Sequence, residues 1–171
     1  NSKISNNSSN TDGGGIWAND SSTNVSIQLT EISGNSAIMN GGGIYINGSI
    51  VDIDRLTIVN NTSTDGAGAI WGDIGTDDIN VSNTIIWDNG SNSILMYNDG
   101  SNIFSYCLID IESWFDPNML HANPEFNEDY TLQPNSPCIN SGDPNSPVDL
   151  DGTRADMGAY PTYNTTLDLH S

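Results

Sequence analysis

The chain has 171 residues, with 22 acidic residues against three basic ones and a formal net charge of −19. Such a field repels nucleic acids and anionic lipid surfaces, so neither is an expected partner, whereas divalent cations are favoured. The apolar residues form short β-branched clusters, which indicates a folded chain rather than a disordered acidic one. No apolar run approaches the roughly 18 residues of a membrane span, so direct membrane insertion is not expected.

Two short motifs recur along the chain. The first reads ISNN, ISGN, IVNN and IWDN, and its last asparagine recurs at steps of 28, 26 and 28 residues. These asparagines are Asn7, Asn35, Asn61 and Asn89. The second, which we call the glycine motif, reads DGGGIW at 12–17, NGGGIY at 40–45 and DGAGAIW at 65–71. Each glycine motif follows its asparagine at a constant distance, which predicts a repeat.

Short strands with a period of two lie between these motifs, as in VSIQL at 25–29 and VDID at 51–54. A repeat of this length without helical periodicity cannot bury a core alone and must stack on its neighbours. Leucine-rich repeats have a similar period, but their leucine and asparagine frame is absent. The repeat therefore predicts an all-β fold, a right-handed parallel β-helix of about five coils with a C-terminal cap.

Each motif has a predicted place in the coil. The glycines mark a tight corner that leaves no room for a Cβ, after which Ile16, Ile44 and Ile70 enter the core. The four asparagines are expected to tolerate left-handed geometry at another corner and to link successive coils as a ladder of side-chain amides. Both motifs are therefore interpreted as structural.

These motifs resemble known proteins. GGGIY repeats with an asparagine corner resemble those of secreted bacterial right-handed β-helix proteins, including surface proteins of the polymorphic outer-membrane type. Residues 123–160, from NPEF to GAY, resemble the segment that closes many bacterial β-helix surface proteins of the choice-of-anchor group. The resemblance implies this fold and an extracellular or cell-surface location, and it implies an activity only weakly.

The predicted organisation is one domain with β-helix coils over 1–113 and a last irregular coil and cap over 114–171. Because the first residue already lies inside the repeat, we expect a signal sequence and further coils upstream. The uncapped first coil is then a candidate surface for self-association.

The two cysteines, Cys107 and Cys138, fall in the last coil and in the cap. In an oxidising compartment a disulfide between them would join cap to coil and contribute about 3 kcal/mol. The alternative is two separate buried thiols that fill core space.

A loop in the cap gathers carboxylates at Asp143, Asp149, Asp151 and Asp156. Alternating carboxylates in an irregular loop suit Ca²⁺, which needs six to eight converging oxygens. The loop lacks the closing glutamate of an EF-hand. In the alternative interpretation Arg154 pairs with one aspartate and the others cap turns.

One cluster of carboxylates is a candidate for catalysis. Aligning Ile53 with Ile79 stacks Asp52 on Asp78 and Asp54 on Asn80, all outward beside Arg55, which suggests clustered carboxylates of the glycoside-hydrolase kind. The alternative is a solvated acidic face. Lyases of this fold typically need a basic residue as base, and only Arg55 lies in the regular coils with flanking acidic residues. His121 and His170 lack zinc-ligand spacing.

Aromatic residues follow each inward isoleucine of the glycine motif, at Trp17, Tyr45 and Trp71. They are expected to point outward in one column and to stack against sugar rings. The alternative is that the rings only shield the sheet. We expect a non-catalytic surface module, structural or adhesive, that binds glycans or other surface proteins. The rivals are part of a polysaccharide lyase or hydrolase with its groove mostly elsewhere, and a self-associating spacer.

Overall fold

The computed structural model describes residues 1–19, 24–48, 50–75, 78–97, 100–111 and 117–163. This part of the chain contains sixteen strands and no helix, so it holds no helix able to cross a membrane. The strands are β1 Ser2–Ser5, β2 Ser8–Ser9, β3 Ile16–Asn19, β4 Asn24–Gln28, β5 Thr30–Ser33, β6 Ser36–Ala37, β7 Ile44–Asn47, β8 Ile50–Asp54, β9 Thr57–Val59, β10 Thr62–Ser63, β11 Ile70–Gly72, β12 Ile79–Ser82, β13 Ile85–Trp87, β14 Ile94–Met96, β15 Asn102–Ser105 and β16 Leu108–Ile109.

All of these strands pair in parallel, in four sheets that we name A to D. Sheet A has the order β1-β5-β9-β13-β16, sheet B β2-β6-β10, sheet C β3-β7-β11-β14, and sheet D β4-β8-β12-β15. The chain visits sheets A, B, C and D in turn in each of three coils. The fourth coil lacks a sheet B strand, and β16 begins the next layer of sheet A. The predicted parallel β-helix is confirmed, with about four coils.

Columns of aliphatic side chains fill the interior. On sheet A, Ile32 pairs with Ile58 and Ile58 with Ile86, and all three are fully buried. On sheet C, Ile44 pairs with Ile70, so the isoleucine of each glycine motif does enter the core. Burying each isoleucine contributes about 2 kcal/mol, and equivalent positions repeat the gain in every coil.

The four asparagines form a continuous ladder along one edge of sheet A. The backbone amide and Nδ2 of Asn35 both donate to Oδ1 of Asn61 at 2.9 Å, and the same two bonds at 3.0 Å join Asn7 to Asn35 and Asn61 to Asn89. Nδ2 of Asn61 also donates to the carbonyl oxygen of Ile32. Buried amides are thereby satisfied between coils rather than within them.

The left-handed geometry at this corner lies one residue earlier than predicted. Asn6, Gly34, Asn60 and Asp88 have φ of 57°, 62°, 55° and 54°, whereas the ladder asparagines do not have positive φ. The left-handed residue thus turns the chain from sheet A toward sheet B, and the side chain of the following asparagine bonds the neighbouring coil.

The glycine corner brings successive coils into close contact. The amide of Gly42 donates to the carbonyl of Ala67 at 2.9 Å, and a Cβ on Gly42 would collide with the carbonyl oxygen of Thr62. A side chain at this position would therefore push two coils apart.

The C-terminal segment, residues 123–163, packs along the outer face of sheet A instead of folding over the last coil. Leu132, Cys138 and Met157 contact Ile85 and Leu108, which point outward from that sheet. The end of the last coil is instead extended by residues 119–121, where Leu120 bridges to Leu108 in parallel.

Polar contacts hold this segment to coils far apart in sequence. Nη2 of Arg55 donates to the Pro147 carbonyl at 2.6 Å, and the hydroxyl of Tyr160 donates to Glu31 at 2.5 Å. Glu31 is fully buried and also accepts from Ser33. The segment therefore covers a flank of the solenoid across several coils.

The two cysteines do not form the predicted disulfide. Cys107 lies in the solenoid core, where its Sγ contacts the carbonyl oxygen of Val81 at 3.6 Å. Cys138 lies in the separate cluster outside sheet A, and burial raises the pKa of its thiol to about 12. The sheet separates the two thiols because position 107 points inward.

We predict that ladder substitutions cost more in the middle than at the end. Asn61→Ala removes the acceptor for two donors of Asn35 and leaves buried polar groups unpaired, so the free energy of unfolding should fall by about 3 kcal/mol. Asn7→Ala, at the exposed end, should cost about 1 kcal/mol. Urea denaturation measures both free energies of unfolding. Equal losses for the two variants would contradict the greater importance of the buried middle of the ladder.

The contact between Glu31 and the C-terminal segment should give an acid-dependent stability. Burial raises the pKa of Glu31, but hydrogen bonds from Lys3, Ser33 and Tyr160 outweigh it, and the pKa is lowered from its ordinary 4.5. The stabilisation is therefore present above pH 4.5 and is lost as the pH falls through the folded-state pKa.

We expect Glu31→Gln to lower the free energy of unfolding by about 2 kcal/mol at neutral pH, with the difference from wild type shrinking below pH 4.5. Comparing the two proteins by urea denaturation across this range isolates Glu31 from other carboxylates. A difference that does not change with pH would show that its charge is not involved.

Candidate functional site

The outer face of sheet C carries two columns of side chains, which together we call the sheet C face. Alternate residues of a strand point to the same side, and the parallel register aligns them between coils. The first column is Trp17, Tyr45, Trp71 and Leu95. The second is Asn19, Asn47, Asp73 and Tyr97, of which Asp73 and Tyr97 continue the pairing just past β11 and β14.

The aromatic residues of this face differ in exposure. Trp17 is 57% exposed and Tyr97 53%, whereas Tyr45 is only 6% exposed. Trp71 is partly exposed and packs against Tyr97, with ring centroids 4.8 Å apart and a tilt of 36°. The face therefore presents Trp17 at one end and the Trp71–Tyr97 pair at the other.

The ring of Tyr45 is buried within the sheet C face, and its hydroxyl contacts the second column. Its hydroxyl donates to Oδ2 of Asp73 at 2.6 Å and lies 3.4 Å from Nδ2 of Asn47. Burial, followed by the nearby carboxylate of Asp73, raises the pKa of Tyr45 to about 12. The prediction that Tyr45 stacks on a ligand is therefore replaced by a role in orienting Asp73.

Polar groups complete the surroundings of the rings. Nε1 of Trp71 is buried and makes no hydrogen bond within the described part of the chain. The second carboxylate oxygen of Asp73 accepts the amide of Ile74 at 2.8 Å. Asn47, Asp73 and Tyr97 were missed in the sequence, although each stands two residues after the first-column position of its coil and so had to share its face.

No basic side chain belongs to this face. The chain has only three basic residues, and all have partners elsewhere. Lys3 pairs with Glu31 at 2.8 Å, Arg55 with Asp149 at 3.4 Å, and Arg154 lies 5.6 Å from the ring centre of Tyr106. The nearest charges around Tyr45 are the carboxylates of Asp73 and Asp12, which both raise its pKa.

The predicted carboxylate cluster on sheet D rests on a wrong register. Ile53 pairs with Val81 instead of Ile79, and Asp52 therefore stands beside Asn80, whose Nδ2 donates to it at 2.9 Å. The sheet D step between these coils is 28 residues rather than the 26 of sheet C, so the third coil has two more residues than the second between its sheet C and sheet D positions.

The other two carboxylates of that cluster also have partners of their own. Asp54 accepts from the hydroxyl of Ser82 and from Nδ2 of Asn83. Asp78 lies before β12 and accepts the amide of Ser101 at 2.9 Å. The register thus does not stack Asp52 on Asp78.

Each of the four aspartates of the cap loop accepts hydrogen bonds from other residues of the protein. Asp143 accepts from Asn145, Asp151 from Thr153, and Asp156 from Asn140 and Thr162, while Asp149 accepts from Asp156 and Arg55. In the alternative interpretation Arg154 is expected to pair with one of these aspartates. The arginine that does so is Arg55, whereas Arg154 donates to the carbonyl oxygen of Gly142.

No group of three or more potential metal-ligating side chains converges in the described ranges. Calcium binding by the loop stays a prediction. His121 lies 3.0 Å from the Ile109 carbonyl oxygen, and His170 lies outside the described residues.

Residues 1–19 match the Chlamydia polymorphic membrane protein repeat, a family of short repeats. The matched span holds the first asparagine motif and the first glycine motif, and ends at the first strand of the sheet C face. Together with the parallel solenoid, this confirms the resemblance to β-helix repeat proteins of the polymorphic outer-membrane type. No curated protein and no solved structure matches the chain significantly.

The bond between Tyr45 and Asp73 should be measurable at alkaline pH. Because the folded-state pKa of Tyr45 is raised, its stabilisation is present below its ordinary pKa of 10.0 and is lost as the pH rises toward about 12. Tyr45→Phe should cost about 2 kcal/mol at neutral pH, with the difference from wild type shrinking above pH 10.0.

The matched control for this measurement is Tyr97→Phe, which removes an exposed hydroxyl from the same face and should change the free energy of unfolding by less than about 0.5 kcal/mol. Urea denaturation of both variants at several pH values makes the comparison. Equal small effects would argue against the bond.

Proposed function

We propose that this protein is a non-catalytic β-helix module of a bacterial cell surface and that the sheet C face binds carbohydrate. The observation that carries the proposal is the aromatic surface on one face of sheet C, where Trp17 and Tyr97 are exposed and the partly exposed Trp71 packs against Tyr97. The surface location is supported by the match of residues 1–19 to a repeat of polymorphic membrane proteins.

The geometry suits two sugar units of one oligosaccharide, each with a pyranose face against one ring. Their C–H groups pack against the flat surfaces of Trp17 and Trp71, which lie two coils apart, or about 10 Å at the strand spacing of parallel sheets. A rigid sheet holds these rings in place, so little conformational entropy is lost on binding. A short oligosaccharide laid across the coils contacts both.

Hydrogen bonding comes from the second column. Asn19 and Asn47 offer amide donors and acceptors beside the rings, and Asp73 offers carboxylate oxygens. Sugar hydroxyls need such groups because a bound saccharide loses its hydration there. The alternating arrangement of rings and polar groups on one face thus supplies both parts of saccharide recognition.

The rival proposal, a polysaccharide lyase or hydrolase, finds less support in the described residues. Asp52, Asp54 and Asp78 each have separate hydrogen-bond partners, and the corrected register no longer stacks two of them. A binding module needs no such pair.

Binding should depend on the two indoles. Trp17→Ala and Trp71→Ala should each weaken the binding of a saccharide found by glycan array by about tenfold, because each removes one stacking surface. Isothermal titration calorimetry gives the dissociation constants, and thermal melting checks that both variants are folded.

The control is Ile103→Ala, which removes a similarly exposed apolar side chain from sheet D and should leave the affinity unchanged. Release of reducing sugar or of unsaturated product is measured on the same ligand. Folded tryptophan variants that bind as wild type, or turnover of the ligand, would overturn the proposal.

A further inference from the structure

The charged side chains around the sheet C face favour one class of ligand over others. All three basic residues of the chain have contacts at the C-terminal segment or on sheet A, away from sheet C. Two carboxylates, those of Asp12 and Asp73, lie close enough to Tyr45 to raise its pKa. An anionic sugar bound here would have no cation to pair with, whereas a cationic one would meet a carboxylate.

Asp73 is fixed in position for such a contact. Its Oδ2 accepts the hydroxyl of Tyr45 at 2.6 Å and its Oδ1 accepts the amide of Ile74 at 2.8 Å. An ionised carboxylate has about four acceptor sites, so two donors leave capacity for an ammonium group. Because the carboxylate is already oriented, little rotamer freedom is lost when a ligand binds.

The neighbouring rings favour the same ligand. Trp71 lies two residues before Asp73 on the same face, and Tyr97 follows Asp73 in its column. The two rings pack together with centroids 4.8 Å apart and leave Tyr97 exposed. Faces of indole and phenol rings attract a cation, so stacking and charge act on one ammonium group together.

We propose that the sheet C face selects amine-bearing saccharides, with Asp73 as the residue that determines this specificity. The inference rests on the proposed carbohydrate binding and names its ligand class. Neutral sugars bind by stacking and hydrogen bonding alone, and uronates or sulfated sugars are rejected by the carboxylates.

The test uses two probes of equal length, a glucosamine oligomer and its N-acetylated counterpart, at a pH where the free amines are charged. Wild type should bind the amine form about tenfold more tightly than the N-acetylated form. Asp73→Asn keeps an acceptor for Tyr45 but removes the charge. It should bind the two probes with equal affinity, because it no longer carries the charge that distinguishes them.

The matched control is Asp52→Asn, which removes the same charge from the exposed face of sheet D. It should keep the tenfold preference, because the net charge of −19 acts on any cation from a distance and changes little with one residue. A preference that survives Asp73→Asn, or that Asp52→Asn removes equally, overturns the inference.

Failure of the proposed function has a different result. If wild type binds neither probe nor any other saccharide, or if Trp71→Ala binds both probes as wild type does, the sheet C face is not the binding site. A third result separates the two proposals: Trp71→Ala no longer binds either probe, and the wild type prefers the N-acetylated form or shows no preference. Carbohydrate binding by the sheet C face is then supported, and the proposed role of Asp73 is overturned.

Discussion

The structure depends on parallel coils that repeat in register, so that each side chain has a chemically similar neighbour in the coil above and below. The asparagine ladder fixes this register, because each Oδ1 accepts both a backbone amide and a side-chain amide from the adjacent coil. The isoleucine columns then become continuous and dry. A slip of one residue would turn every isoleucine outward and leave the buried amides unpaired, which is why core packing and polar pairing reinforce one alignment.

The same register that builds the core also builds the surface. A residue that follows an inward isoleucine must point outward, and repetition turns single tryptophans into a column. The sheet C face is nevertheless not uniform: Tyr45 is buried and donates to Asp73, while Trp17 and Tyr97 are exposed. The outer face of sheet A is covered, because the C-terminal segment packs against it through apolar contacts and buries Glu31. One flank is thereby used for stability, whereas the sheet C face keeps Trp17 and Tyr97 exposed.

Variation in coil length explains why the register predicted for sheet D was wrong. The step between the second and third coils is 26 residues on sheet A but 28 on sheet D, because the extra residues lie in the loop before β12. An even shift keeps inward residues inward, so Ile79 still faces the core although its partner is Val51 and not Ile53. The carboxylate pairing failed for this reason. The left-handed corner was misplaced by one residue because the sequence NN does not tell which asparagine turns.

The sequence by itself determined the parallel solenoid, the inward isoleucines and the outward aromatic column, because these follow from periodicity along the chain. Only the tertiary structure decided the rest. The bond from Tyr160 to Glu31 spans 129 residues, and that from Arg55 to Pro147 spans 92, so no repeat could predict that the tail lies on sheet A. The separation of Cys107 from Cys138 and the orientation of Asp73 by Tyr45 are of the same kind. The exposure and the hydrogen-bond partners of a side chain depend on which other side chains lie next to it in the folded protein. A segment that does not repeat carries no periodic pattern from which those neighbours could be predicted.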